Sequence, residues 1–173
     1  MPHDTEDRNT AKGLLIRRHL RAGWIGLLIF LAIGIALETL HGLKLGIYVD
    51  PQNATRRLMW TLSHAHGTLF ALVNIAFAVS VNLLPLSHWK SLRFASNCLL
   101  GGLVILPLGF FLGGLWMFGG DPGIGVFLVP IGALMMLLGV NAVVIALWQD
   151  GDKKSGQGSR PGTEDPKPKQ GRR

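Results

Sequence analysis

Polar and apolar positions along this chain fall into blocks. Four long apolar blocks, at about 22–43, 58–86, 94–118 and 123–148, are separated by short polar stretches. About 20 apolar residues cross the ~30 Å hydrocarbon core of a bilayer as a helix, so each block predicts a transmembrane helix. A water-soluble fold would need four helices apolar all round, more than a chain of 173 residues can bury. The expected fold is therefore an all-α integral membrane protein. Short loops make consecutive helices antiparallel neighbours, which predicts an up-down-up-down four-helix bundle over residues 22–149.

The flanks differ from this core. Residues 1–21 form a basic N-terminal segment. Its first thirteen residues are polar and expected to be poorly ordered, and LLIRRHLR at 14–21 reads as an interfacial helix or the first turn of helix one. The first apolar block is too long for a signal peptide and lacks a small-x-small cleavage site, so it reads as an uncleaved anchor. Residues 150–173 are rich in Gly, Pro and charge, which predicts a disordered basic tail. In the 44–57 loop Asp50-Pro51 signals a turn, and Asn53 or Thr55 is placed to cap the second helix. GGDPG at 119–123 predicts a tight turn around Asp121-Pro122.

The net charge of +7 is explained by its distribution. Arg8, Lys12, Arg17, Arg18 and Arg21 precede the first block, Lys90 and Arg93 lie between the second and third, and seven more basic residues follow the fourth. The opposite side holds Lys44, Arg56 and Arg57 alone. Basic residues stay on the cytoplasmic side, so both termini are expected there, in a multi-pass protein of the cell (inner) membrane. A nucleic-acid role is not implied. Trp24, Trp60, Trp89, Trp116 and Trp148 fall near block ends, as interfacial anchors do. The single cysteine, Cys98, cannot form an internal disulfide and reads as a packing residue.

Small residues mark the last two helices. Gly109 and Gly113 form G-x-x-x-G, while Gly125, Gly132 and Gly139 recur every seven residues. Glycines at these spacings let helix backbones approach closely, so these five are expected to pack helices three and four together, or to dock a second copy or a larger membrane complex.

Candidate chemistry sits at one membrane level. Glu38 and His41 lie near the end of helix one, and His64 and His66 near the start of helix two. At ~1.5 Å per residue all four fall within about 3–12 Å of the outer boundary, with Asp121 above them in the outer turn. Glu38 and His41, three apart, share a helix face. His64 and His66, two apart, point to nearly opposite sides of a helix. His64 shares its face with Thr68, Ala71, Ile75, Ala78 and Asn82, with Asn74 at the edge, so it is expected to turn inward toward Glu38 and His41. His66 shares its face with Phe70, Val73 and Phe77 and is expected on another flank, against helix three or four or a cofactor. Titratable side chains in a membrane mark a proton path, a cofactor or a metal. Glu38, His41 and His64 are the candidate ligands of a transition ion (Fe, Cu or Zn), since imidazole suits all three. His41, His64 and His66 are the candidate ligands of haem b.

His66, Gly67, Thr68 and Leu69, with Leu83, Leu84, Pro85 and Leu86 at the far end of the helix, resemble the second helix of haem–copper oxidase subunit I. The resemblance covers one helix, roughly 20 residues. It implies an axial haem-ligand role for His66. The rest of that family's centre is missing, because no His-His pair, no His-x-x-x-Tyr and no histidine in helices three and four occurs. A complete oxygen-reducing centre is excluded, and a bis-imidazole haem would pair His41 with His64 or His66, or use a second subunit.

Three functions follow from these residues. The first is electron transfer or metal handling at the Glu/His cluster, which needs neutral imidazole and should weaken below pH ~6. The second is a non-catalytic accessory subunit whose cluster only locks helices together. The third is a proton-coupled carrier using Glu38 and His64, which ranks last because the other half of the helices offers only Ser80, Asn82 and Asn97 as a polar route. No phosphate-binding loop, C-x-x-C or placeable nucleophilic triad argues for an enzyme.

Overall fold

A computed structural model describes residues 3–84 and 89–157. Among them there are no strands, and four helices are long and apolar enough to cross a membrane: Asn9–Gly42, Pro51–Leu83, Trp89–Leu115 and Ile124–Gln149.

Helix α1 runs His3–Gly42, 40 residues, and starts well before the apolar block. Residues 5–21 contain no proline and a single glycine, Gly13, so nothing there stops a helix. At ~1.5 Å per residue α1 is roughly 60 Å long. It ends at Lys44, whose φ of 53° is left-handed. The Lys44 and Leu45 amides donate to His41 and Leu40 carbonyls, each at 3.0 Å, a Schellman closure without glycine.

The 44–57 segment is structured. A short helix, α2 (Gly46–Val49), and a 3-10 turn (Pro51–Asn53) lead into α3 (Ala54–Leu83). Neither expected cap forms. Asn53 instead donates through Nδ2 to the Gly46 carbonyl at 3.0 Å, and Thr55 donates to the Gly120 carbonyl at 2.6 Å. Arg57 donates to the carbonyls of Tyr48 and Val49, and Arg56 to those of Gly114 and Ile47. Cationic groups thereby close carbonyls at the C-terminal ends of α2 and of the next long helix.

That next helix is α4 (Trp89–Leu115), and a 3-10 turn (Ile124–Phe127) precedes α5 (Leu128–Gln157). The turn between them centres on Gly119-Gly120, not on Asp121-Pro122. Both glycines have positive φ, and Phe118 and Asp121 exchange backbone hydrogen bonds across them, the pattern of a primed hairpin turn. The expected tail at 150–173 is helical to Gln157, and its remainder lies outside the described residues.

The helices are arranged as an open row. α1 packs on α3, α3 on α4, and α4 on α5, while α1 meets α4 lightly and has no substantial contact with α5. The expected bundle is thus not closed. The most apolar windows of α3 and α4 are 39% and 50% buried, against 17% and 22% for α1 and α5, so the inner pair carries the core.

Glycines set the close approaches. A Cβ on Gly132 would meet the Leu106 backbone nitrogen at 2.5 Å, and one on Gly109 would meet Val129 nitrogen and Leu128 Cβ at 3.0 Å. Gly139 lies against Leu99 and Cys98, Gly125 against Leu112, and Gly113 against Val126. This chain fills its own glycine faces by packing α4 on α5. A copy or a partner would have to meet these helices on their other sides, not on the glycines.

Candidate functional site

Helix α3 lies between α1 and α4, and its two membrane histidines serve opposite flanks. His64 turns toward α1. Its Nδ1 lies 2.7 Å from the Phe30 carbonyl oxygen. That oxygen can only accept, so Nδ1 carries the proton and a neutral ring keeps its free lone pair on Nε2. The approach is possible because Gly34 has no side chain: a Cβ there would sit 2.5 Å from His64 Cε1. The reciprocal contact places the Phe30 ring over Gly67 of α3. Gly67, part of the stretch that resembles the oxidase helix, is therefore a packing hole for Phe30.

Beside His64 is a cavity of about 370 Å³ between α1, α2 and α3, lined by Glu38, His41, Tyr48, Thr61 and His64 together with Gly34 and Leu37. Glu38 and His41 are exposed, and the His41 ring meets Tyr48 edge-on at 6.3 Å. Among the described residues neither has a side-chain hydrogen bond or ion pair. The structure brings Glu38, His41 and His64 to one cavity. Their donor atoms do not converge: among the described residues no group of three or more His, Cys, Asp or Glu is placed to hold a metal ion. Asp121 is not part of the cavity lining, and its backbone is engaged with Phe118 in the α4–α5 turn.

His66 faces α4. Its Nδ1 donates to the Leu62 carbonyl one turn back at 2.9 Å. The ring packs on Phe110 with centroids 5.2 Å apart and on Phe70 at 6.0 Å. His66 does not line the cavity that holds His41 and His64.

The most enclosed polar group is one that the hydropathy pattern does not single out. His19, on α1, is fully buried, as is Asn74 on α3, and Ser96 on α4 is nearly so. His19 Nδ1 lies 2.7 Å from Asn74 Oδ1, and its Nε2 lies 2.7 Å from Ser96 Oγ. Asn74 Nδ2 donates to the Phe70 carbonyl at 2.8 Å and the Leu99 carbonyl at 3.3 Å. The amide is thereby oriented with its oxygen toward His19, so Nδ1 donates and Nε2 of the neutral ring accepts from the Ser96 hydroxyl. Phe77 closes the ring from the side at 4.6 Å. Three helices are tied through one imidazole with both nitrogens used. The signal was present in the sequence: Leu15, His19, Ala22 and Gly26 continue the packing stripe of helix one back into the basic segment.

No family model, no curated protein and no solved structure matches this chain.

Proposed function

We propose that this is a multi-pass protein of the cell membrane that handles a transition-metal ion or haem iron at the cavity lined by Glu38, His41 and His64. Its helices run up-down-up-down with both termini on the cytoplasmic side, as the fourteen-to-three division of basic residues argues. The observation that carries the reading is the His64 geometry: Nδ1 is fixed on the Phe30 carbonyl, which orients the ring and leaves the Nε2 lone pair for a ligand, on a side chain that lines one cavity with a second imidazole and a carboxylate. Metal-ligating histidines are held in this way by an outer hydrogen bond. The three donors do not meet in the structure as it stands. Glu38 and His41 share a helix face and are exposed, so rotamer changes on the ps–ns timescale are open to both, while His64 is already positioned. A bound ion would supply Lewis acidity or a redox couple; the chain's part is to orient the ligands.

The test is metal analysis and an absorption spectrum of the detergent-purified protein, repeated on His64→Ala and His66→Ala. Stoichiometric metal or a Soret band that disappears in His64→Ala and persists in His66→Ala supports the cavity. Loss in His66→Ala alone moves the site to the α3–α4 flank and to the haem reading of the oxidase resemblance. A colourless, metal-free protein of normal stability overturns both.

A second reading, a non-catalytic accessory subunit, is favoured by His19. There a membrane histidine is wholly committed to holding helices together, which is the role this reading gives to His64 as well.

A further inference from the structure

A seam runs between α1 and α4, where the two helices meet only lightly. On α1 it follows Leu14, Arg18, Ala22, Ile25, Ile29 and Ile33, one turn after another along a single face. On α4 it follows Arg93, Asn97, Val104, Leu108 and Phe111. Its two parts differ in chemistry. Toward the start of both helices lies a cavity of about 230 Å³ flanked by Arg18 and Arg93, with Asn97, Ser96 and Trp89 beside them. Further along lies an apolar groove of about 450 Å³, walled by Ile25, Ile29, Val104 and Leu108 and floored by Ser63 of α3, whose hydroxyl is engaged by the Pro107 carbonyl. From Arg18 to Ile33 the seam extends roughly 22 Å at ~1.5 Å per residue, longer than one leaflet, which is about half of the ~30 Å hydrocarbon core.

We infer that this seam binds one anionic phospholipid, with its phosphate between Arg18 and Arg93 and an acyl chain in the apolar groove. Two guanidiniums at one end match an anionic headgroup, and their planar donors suit phosphate oxygens. Asn97 adds a neutral polar side chain at that level, and Trp89 supplies an amphipathic ring of the kind found at headgroup depth. The hydrocarbon-lined continuation matches a chain and not a free phosphate. The His19–Ser96 bond joins α1 to α4 at the level where the two parts meet, and so holds the seam at a fixed width.

The experiment is native mass spectrometry of the delipidated protein titrated with phosphatidylglycerol or phosphatidylcholine of identical chains. The wild type is expected to prefer the anionic lipid by roughly 30-fold, at the usual contribution of two basic residues near an anionic surface. Arg18→Ala/Arg93→Ala should bring the two lipids to parity. Arg17→Ala, on a residue that does not line the seam, should leave the preference intact; an equal loss there means diffuse attraction and overturns the site. Val104→Trp, at an exposed groove position, should weaken both lipids alike, which keeps the test decisive if the arginine variant does not fold. Displacement of phosphatidylglycerol by millimolar inorganic phosphate would reduce the seam to a headgroup site and overturn the acyl-chain half. Equal retention of both lipids by the wild type overturns the proposal.

Discussion

Toward the start of α1 His19 reaches to α3 and α4 with both ring nitrogens; toward the end of α1, His64 reaches back to it from α3 with one. His19 is fully buried, and each of its hydrogen bonds is answered by a neutral buried partner, Asn74 being itself fixed by backbone carbonyls. His64 is half-buried beside a cavity, next to a carboxylate and a second imidazole that no side chain among the described residues holds by a hydrogen bond or ion pair. The number of histidines in a membrane helix therefore says little about chemistry. The number of ring nitrogens left over after packing says more, and on that measure His19 has none and His64 has one.

Several substitutions would break or sharpen this contrast. The largest effect is expected from His19→Ala, which strands Asn74 Oδ1 and the Ser96 hydroxyl inside the helix row and leaves a void. It should cost roughly 2–4 kcal/mol in reversible unfolding in mixed micelles. His19→Gln should recover part of that loss. Gly132→Ala comes next, at roughly 1–3 kcal/mol, because the added methyl meets the Leu106 backbone, which cannot move aside as a side chain could. His64→Ala removes one bond to a carbonyl and should cost less than about 1 kcal/mol, while abolishing any metal or haem signal. If it destabilises the protein as much as His19→Ala, the cavity is structural and the contrast fails. Glu38→Gln should change stability by no more than ~0.5 kcal/mol, with its effect confined to metal affinity. Gly13→Ala should act in the opposite sense: a Cβ there meets nothing within 4 Å, so it should stabilise α1 by up to ~1 kcal/mol.

Much of this architecture is legible in the sequence, for reasons that differ by element. The four spans follow from hydropathy, because lipid demands long unbroken apolar runs. The opposed directions of His64 and His66 follow from the helical period, and the two directions correspond to two different neighbours, α1 and α4. The open row does not follow from the sequence, because short loops fix only consecutive pairs and say nothing about whether the first and last helices meet. His19 is obscured by Arg17, Arg18 and Arg21: a basic cluster reads as a solvated flank, although every fourth residue of it faces the interior. The inner structure of 44–57 is also hidden, since Lys44 adopts a conformation usually left to glycine, the N-caps expected from Asn53 and Thr55 do not form, and Arg57 instead closes carbonyls at the end of α2.

The length of α1 has a mechanical consequence. A helix of roughly 60 Å is about twice the thickness of the hydrocarbon it crosses, so much of it stands outside or the whole rod leans steeply. His19 grips that rod a little short of its midpoint, and the contacts of Phe30 and His64 grip it again further along. The rod is thus held at two polar points, and Leu15, one turn before the first, is also buried in the core. Load applied to the N-terminal turns bears first on the Leu15 packing and the His19 bonds, and leverage across that fulcrum reaches the spacing of α1 from α4 before it reaches the cavity at the far end.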